Sequence, residues 1–360
     1  MHPHSVSRLL VSFWLANGIR ANCRVMNNPT AFVRSKASLV AVLARMALPS
    51  ILALGCLPSS AGAAAATGFR FADVSDTSVG LWEDARPVLV YNHGLISKAG
   101  VPANRARSTY VHPLYGLDGE VLTDDFPKDH FHHRGLFWAW PHVKIGDQEY
   151  SLWDLSGIRH QFERWLQKEA SANGATLAVE NGWYVGAEKV VEEKVRLRVH
   201  PATADGRAID VECEWVPAKA AMTLTGAEGK SYGGLTLRFA PGTNTTITIP
   251  AGLTQQDLPM TNLPWADLTR RWDAEQKTSG AAVFVHPSHP DFPPQWLTRH
   301  YGVLCLGWPG VKPATFQVGE VIRCRYRVWI HRGQVTAERL TQVYEEYCQG
   351  RRVSDVRTAP

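Results

Sequence analysis

The sequence predicts an all-β fold: a large antiparallel β-sandwich, supersandwich-like, with one C-terminal amphipathic helix. Three observations predict it. Apolar and polar residues alternate with a period of two in one stretch after another. Turn-forming pairs separate those stretches, among them Asp118-Gly119, Asn173-Gly174, Asp205-Gly206 and Pro241-Gly242. Only one stretch, close to the C-terminus, repeats its apolar residues at helical spacing.

In chain order, strands are expected at 87–92, 109–114, 135–140, 175–185, 188–199, 208–216, 234–239, 245–249, 281–286, 302–308 and 320–330. Within 208–216, Ile209, Val211, Cys213 and Trp215 share one face, and Asp210, Glu212 and Glu214 take the other. Within 320–330, Cys324, Tyr326, Val328 and Ile330 oppose Arg323, Arg325 and Arg327. One-sided alternation of this kind marks antiparallel sheet with one wet face. The helix is expected to start at Thr336 as its cap, with Glu338 in the first turn. It would carry Leu340, Val343, Tyr344, Tyr347 and Cys348 as one stripe and stop at Gly350. These elements are read as a single sandwich domain over 70–350, with 351–360 a loose polar tail.

Residues 1–63 read as a signal peptide. They hold six basic residues (Arg8, Arg20, Arg24, Arg34, Lys36, Arg45) and no Asp or Glu. Arg34, Lys36 and Arg45 precede a short apolar run over 46–57, and Ala61-Gly62-Ala63 offers a small-x-small cleavage site. The run is too short to span a bilayer, and no other stretch is long and apolar enough, so no transmembrane segment is expected in the mature chain. The expected location is outside the cytoplasm, periplasmic or secreted. The full chain carries a formal charge of +5, but the part after residue 63 has 32 basic and 33 acidic residues. Near-neutrality leaves no basic stripe, so no nucleic-acid partner is expected. No Gly-rich phosphate loop follows a strand, which argues against a nucleotide cofactor. Cys213, Cys305, Cys324 and Cys348 remain in the mature chain; export permits disulfides, and Cys305 with Cys324 is the pair to test first.

The chemistry concentrates in Asp129-His130-Phe131-His132-His133-Arg134-Gly135. Imidazole is both the commonest metal ligand and the side chain that titrates near neutral pH. On extended backbone, His130, His132 and Arg134 would share one face, with Asp129, Phe131 and His133 on the other. The spacing of His130 and His132 suits chelation of a divalent metal, with a third ligand drawn from elsewhere, such as Asp125, His112 or Glu180. A metal-free site would use His130, His132 or His133 as acid or base, with Arg134 holding a carboxylate or hydroxyls. The same cluster could also be a hydrogen-bonded anchor for a loop. A second cluster spans 286–300: His286, His289, Trp296 and Arg299 sit in a proline-rich segment after a strand. The mature chain is rich in tryptophan, and Trp138 and Trp296 are candidates for stacking on a pyranose. The two clusters are expected to meet in space.

Several motifs together resemble one family. They are His112-Pro113-Leu114-Tyr115, the 129–135 heptad, Tyr232-Gly233-Gly234-Leu235 with Arg238-Phe239, Trp265-Ala266-Asp267-Leu268, His286-Pro287 through Trp296, and Tyr301-Gly302. The resemblance is to an uncharacterised group of largely exported bacterial proteins labelled "methane oxygenase PmoA-like". It departs from that pattern at Phe131, where proline is expected, and at His289, where asparagine is expected. The resemblance implies a β-sandwich similar to the galactose-mutarotase-like supersandwich and a setting of carbohydrate breakdown. It places the site at His130, His132, His133 and Arg134, with Trp296 and the 286–300 loop. The leading expectation is thus an exported lyase, hydrolase or epimerase acting on a sugar or sugar derivative. A non-catalytic glycan-binding module and a metal-dependent oxygenase or hydrolase stand as alternatives.

Overall fold

The computed structural model describes residues 67–272 and 276–350. The leader expected over 1–63 and the tail over 351–360 lie outside the described residues.

Two nine-stranded antiparallel sheets and one small sheet make the sandwich. The first sheet runs, edge to edge, through Phe69–Ser75, Ser78–Glu83, Arg86–Asn92, Tyr110–Leu114, Leu136–Ala139, Gly234–Arg238, Val303–Gly307, Gln295–Arg299 and Thr261–Asn262. The second runs through Gly252–Thr254, Gly242–Ile249, Trp265–Trp272, Lys277–Val285, Ile322–Arg332, Gly206–Pro217, Glu188–Val199, Gly174–Val185 and Arg159–Ser171. Ala314–Phe316, Met222–Thr225, His142–Ile145 and Gln148–Tyr150 form the third. Among the described residues, no helix is long and apolar enough to cross a membrane.

Every expected strand overlaps an observed one, and the predicted alternation sets the faces. Val191, Val195, Leu197, Val211, Cys213 and Trp215 point inward and are buried. They join one continuous apolar core built from all three sheets. At its centre Trp140 meets Trp183, Trp215 and Trp308 with ring centroids 5.4, 5.2 and 6.1 Å away. One inward position is charged. Oε2 of Glu193 accepts the indole N–H groups of Trp138 (2.7 Å), Trp183 (2.8 Å) and Trp215 (2.8 Å), and Oε1 accepts from Asn181 at 2.9 Å. His160 Nε2 lies 3.5 Å away. A buried carboxylate is tolerable only with this density of donors, because burial alone strongly disfavours the charge. Here the opposing imidazole and the donors win, and the Glu193 carboxyl is held below its usual range.

The helix spans Ala337–Cys348, capped by Thr336, whose hydroxyl accepts from Arg339 N at 3.3 Å. Leu340, Val343 and Tyr347 press onto Ala208, Trp265, Ala282, Phe284 and Trp329, on the second sheet's outer face.

Several strands carry no clear signal in the sequence. Arg159–Ser171 has thirteen residues but is an edge strand of mostly polar, exposed positions, so it lacks an apolar rhythm. Trp265–Trp272 hides its pattern by burying Asp267, Thr269 and Arg270. Gln295–Arg299 is a strand inside the segment read as an irregular loop. The disulfide expectation is also corrected. Cys305 lies in the first sheet beside Thr236, whereas Cys324 lies in the second, directly opposite Cys213. Among the described residues, Cys213, Cys305, Cys324 and Cys348 are all free thiols.

Candidate functional site

The heptad is a wound turn, not an extended strand. His130 N donates to Pro127 O at 3.0 Å and His133 N to His130 O at 2.9 Å. Two successive turns therefore cancel the predicted alternation. They bring all three imidazoles to one side, and the rings of His130 and His133 stack 4.6 Å apart and 3° from parallel. His132 stands edge-on to both, at 5.6 and 4.7 Å.

Arg134 lies beneath the turn and is fully buried. Its Nη1 donates to Phe131 O at 2.7 Å and His133 O at 2.6 Å, and Nη2 donates to Arg105 O. Its guanidinium sits 3.6 Å over the Phe126 ring, and Nε is 3.4 Å from Asp125, an ion contact rather than a directed hydrogen bond. The expected clamp on a ligand is thus a brace for the turn: its donors are spent on main-chain carbonyls and no atom of it faces solvent.

The turn lies on the first sheet's outer face. Phe137, Thr236, Cys305 and Leu297 are cross-strand neighbours in one row. Trp138, next along, points the opposite way, to Glu193 in the core, so the Phe137 row faces outward. Over this row runs a chain of rings. Tyr301 stacks on His130 at 5.8 Å and 7°, His130 on His133, His133 meets Trp153 at 5.5 Å, and Trp153 meets Tyr232 at 4.7 Å. Tyr301 is 45% exposed, His130 and Tyr232 are half-buried, and His133 and Trp153 are buried between them.

Charged groups fix this row. Asp129 accepts from Arg238 Nη2 with both oxygens at 2.9 Å, and lies 3.0 Å from His130 Nδ1. That last contact is close but off the ring's N–H axis, since it fails as a directed hydrogen bond. The Arg238 guanidinium also covers the Tyr301 ring at 4.8 Å. His132 Nδ1 is 3.7 Å from Asp154, which also pairs with Arg105 at 3.3 Å. Burial pushes His132 down to about 4 against the pull of Asp154. His133 is driven far below the ordinary imidazole value, first by burial and then by its two histidine neighbours. Burial raises the Tyr232 and Tyr301 phenols. The site therefore gathers neutral His132 and His133 and the protonated phenols of Tyr232 and Tyr301 around one row near neutral pH, which suits proton transfer to and from a neutral substrate.

The second cluster does not join this site as a whole. Arg299 and Tyr301 reach it, at one end of Gln295–Arg299. At the other end, a strand length of about 13 Å away, His289 stacks edge-on to Trp308 at 5.5 Å and His286 binds Ser288 at 2.8 Å. Trp138 and Trp296 are core residues, with Trp296 donating to Leu263 O at 2.8 Å, so neither offers a face to a sugar. The exposed aromatic edge is instead Tyr301. Sequence alone does not single out Tyr232, Tyr301 or Arg238 as site residues. The Tyr232-Gly233-Gly234 and Tyr301-Gly302 pairs were the available signal.

The donor set fits a metal poorly. Parallel stacking of His130 on His133 keeps their nitrogens from converging, and the Nδ1 atoms of His130 and His132 face different carboxylates. Among the described residues, no three His, Cys, Asp or Glu side chains gather as ligands.

Residues 78–345 match a family of unknown function (DUF6807). No curated protein matches the chain. Solved structures match parts of the chain at low identity. A heparan sulfate lyase HepC mutant from Pedobacter heparinus is 8% identical over 75% of this chain, with a TM-score of 0.39. A heparinase III gene product is 10% identical over 76% of this chain, with a TM-score of 0.33. This chain spans 36% of each of those two. A GalM/aldose epimerase homologue from C. elegans is 7% identical over 75% of this chain and all (100%) of its own, with a TM-score of 0.30.

Proposed function

The chain belongs to DUF6807, a family of unknown function, and since membership brings no chemistry with it, we propose from the site itself that this is a carbohydrate-active enzyme. The row of rings from Tyr301 through His130, His133 and Trp153 to Tyr232 carries the reading. The C–H groups of a pyranose pack against a partly exposed aromatic ring, and charged groups beside it take the hydroxyls. Asp129, held by Arg238, and Arg299 supply those groups here.

In this reading neutral His132 takes a proton from the sugar, and the phenol of Tyr232 or Tyr301 returns one to the position that gains charge. His130, set by Asp129, and buried His133 hold the ring row in place. Arg134 positions the turn without touching substrate. Such acid–base work suits an epimerase, a lyase or a hydrolase on a sugar or sugar derivative. The export pattern over 1–63 supports an extracytoplasmic setting.

The test is turnover of a broad panel of glycans and keto-sugars, followed by NMR, with wild type and two variants. His132→Ala should lower kcat about 100-fold or more, and Tyr301→Ala should raise KM with a smaller change in kcat. A panel left wholly unchanged by wild type removes the enzyme reading. Saturable binding without turnover, lost in Tyr301→Ala, would establish a glycan-binding module.

A further inference from the structure

The second sheet carries a different kind of surface on its outer face, away from the ring row. Three cross-strand rows lie side by side on Glu188–Val199, Gly206–Pro217 and Ile322–Arg332. They are Lys194–Glu214–Arg323, Arg196–Glu212–Arg325 and Arg198–Asp210–Arg327. In every row a carboxylate of the middle strand stands between two cations. Strands lie about 4.8 Å apart and same-face residues about 6.7 Å apart along a strand, so the nine side chains form a compact lattice of six cations and three carboxylates.

The carboxylates are shared unevenly. Glu214 takes Arg323 at 2.8 Å and Lys194 at 3.5 Å, and Asp210 takes Arg327 at 2.6 Å and His200 at 2.7 Å. Glu212 meets Arg196 only at 4.0 Å. Among the described residues, exposed Arg325 pairs with no carboxylate. It is aimed by neutral groups, Ser288 Oγ at 2.7 Å and His286 Nδ1 at 3.0 Å. Two cavities, of about 540 and 860 Å³, open along the lattice and share Arg196, Glu212 and Arg325 in their walls. Arg325 thus stands where the two cavities meet.

We propose that this lattice is a second binding site, for an acidic saccharide bearing carboxylate or sulfate groups, separate from the ring row. The class of ligand, though not the site, rests on the carbohydrate reading above. Arg196, Arg198 and Arg325 take the ligand's oxyanions. Glu212 and Glu214 accept its hydroxyl donors, and the exposed Leu166 beside Ala178 gives the larger C–H surfaces an apolar rest. Interleaved cations and carboxylates suit a ligand that is both polyanionic and polyhydroxylic. A nucleic acid fits less well, because the groove gives its bases nothing to stack on. Tyr326 and Tyr347, the tyrosines of the groove, are buried and offer no base a stacking face. The chain's own ends are poor occupants, since 1–63 contains no acidic residue and 351–360 contains three arginines to one aspartate.

The experiment measures binding of polygalacturonate (carboxylate), chondroitin sulfate (sulfate ester), neutral dextran and a single-stranded oligonucleotide to the full chain at low and high salt. It compares wild type, the double variant Arg196→Gln/Arg325→Gln, and His132→Ala. Both altered arginines are exposed, and equal melting temperatures check that the fold is kept. The expected result is saturable, salt-sensitive binding of at least one acidic glycan but not dextran. That binding should weaken tenfold or more in the double variant and be unchanged in His132→Ala. Binding that survives the double variant but falls in His132→Ala overturns the second site and leaves the ring-row reading standing. Tighter binding of the oligonucleotide than of either glycan overturns the ligand class. No binding of any acidic probe overturns the proposal, while dextran or sugar turnover at the ring row is judged separately.

Discussion

At the scale of single residues, Arg134 shows how far a side chain's role departs from its chemistry in isolation. The guanidinium beside three histidines invites a ligand, yet it holds the carbonyls of Phe131, His133 and Arg105 from inside the turn. Its charge is wholly enclosed, with Asp125 the facing carboxylate. Burial pushes that carboxyl up to about 6 despite the nearby arginine. Arg134→Ala leaves three carbonyls and Asp125 without their partner, so chemical denaturation should show a loss of about 3–5 kcal/mol. Arg134→Lys should recover little, because an ammonium cannot match a planar fork. A midpoint within experimental error of wild type for Arg134→Ala would refute the bracing role. The histidine cluster itself was legible at this scale, since three imidazoles in four positions are visible in the chain. Their geometry was not. Parity along the backbone holds only for extended residues, and Pro127 with Lys128-Asp129 was the turn signal that outweighed it.

At the scale of elements, period-two alternation was readable wherever one face meets water, as in Glu188–Val199 and Ile322–Arg332. It failed where a strand is wet on much of its surface, as in Arg159–Ser171, or buries charges, as in Trp265–Trp272. Glu193 is the instructive exception inside a legible strand. By pattern its position should be apolar, and it is instead the acceptor for three indoles and an amide. Glu193→Gln turns an acceptor-only group into one that aims N–H at N–H. The expected cost is about 3–5 kcal/mol, read as a lower urea midpoint with tryptophan emission shifted to the red. Unchanged stability and emission would show that the indoles find other partners.

For the whole molecule, buried imidazoles set the response to acid. His132 and His112 are pushed to about 4 and His289 to about 3, in each case first by burial, and His133 lies lower still. Below the ordinary value of 6.5 the unfolded chain binds protons that these folded histidines refuse. Stability therefore falls as pH drops from 6.5 and stops falling once the folded groups protonate. Each fully buried group contributes up to about 1.4 kcal/mol per pH unit. His331 adds no slope in that range: burial lowers it, but the Asp267 carboxylate at 2.9 Å outweighs burial and raises it. Its contribution is complete below 6.5 and is lost as pH rises through the folded value. Asp125, raised to about 6, and Asp124, also raised by burial, oppose the slope. Four lowered imidazoles outnumber these, so urea midpoints should fall steadily from pH 6.5 to 4.5, and a flat or rising profile would overturn the account. The carboxylate at the centre has one more consequence. Trp138 reaches it from the first sheet, and Trp183 and Trp215 from the second. An apolar interface alone would let two sheets slide past one another at little penalty, because dispersion has no preferred direction. A single oxygen gripped from both sides does have one, so it works as a dowel. It sets the two walls at one offset, and with it the distance between whatever each outer surface holds.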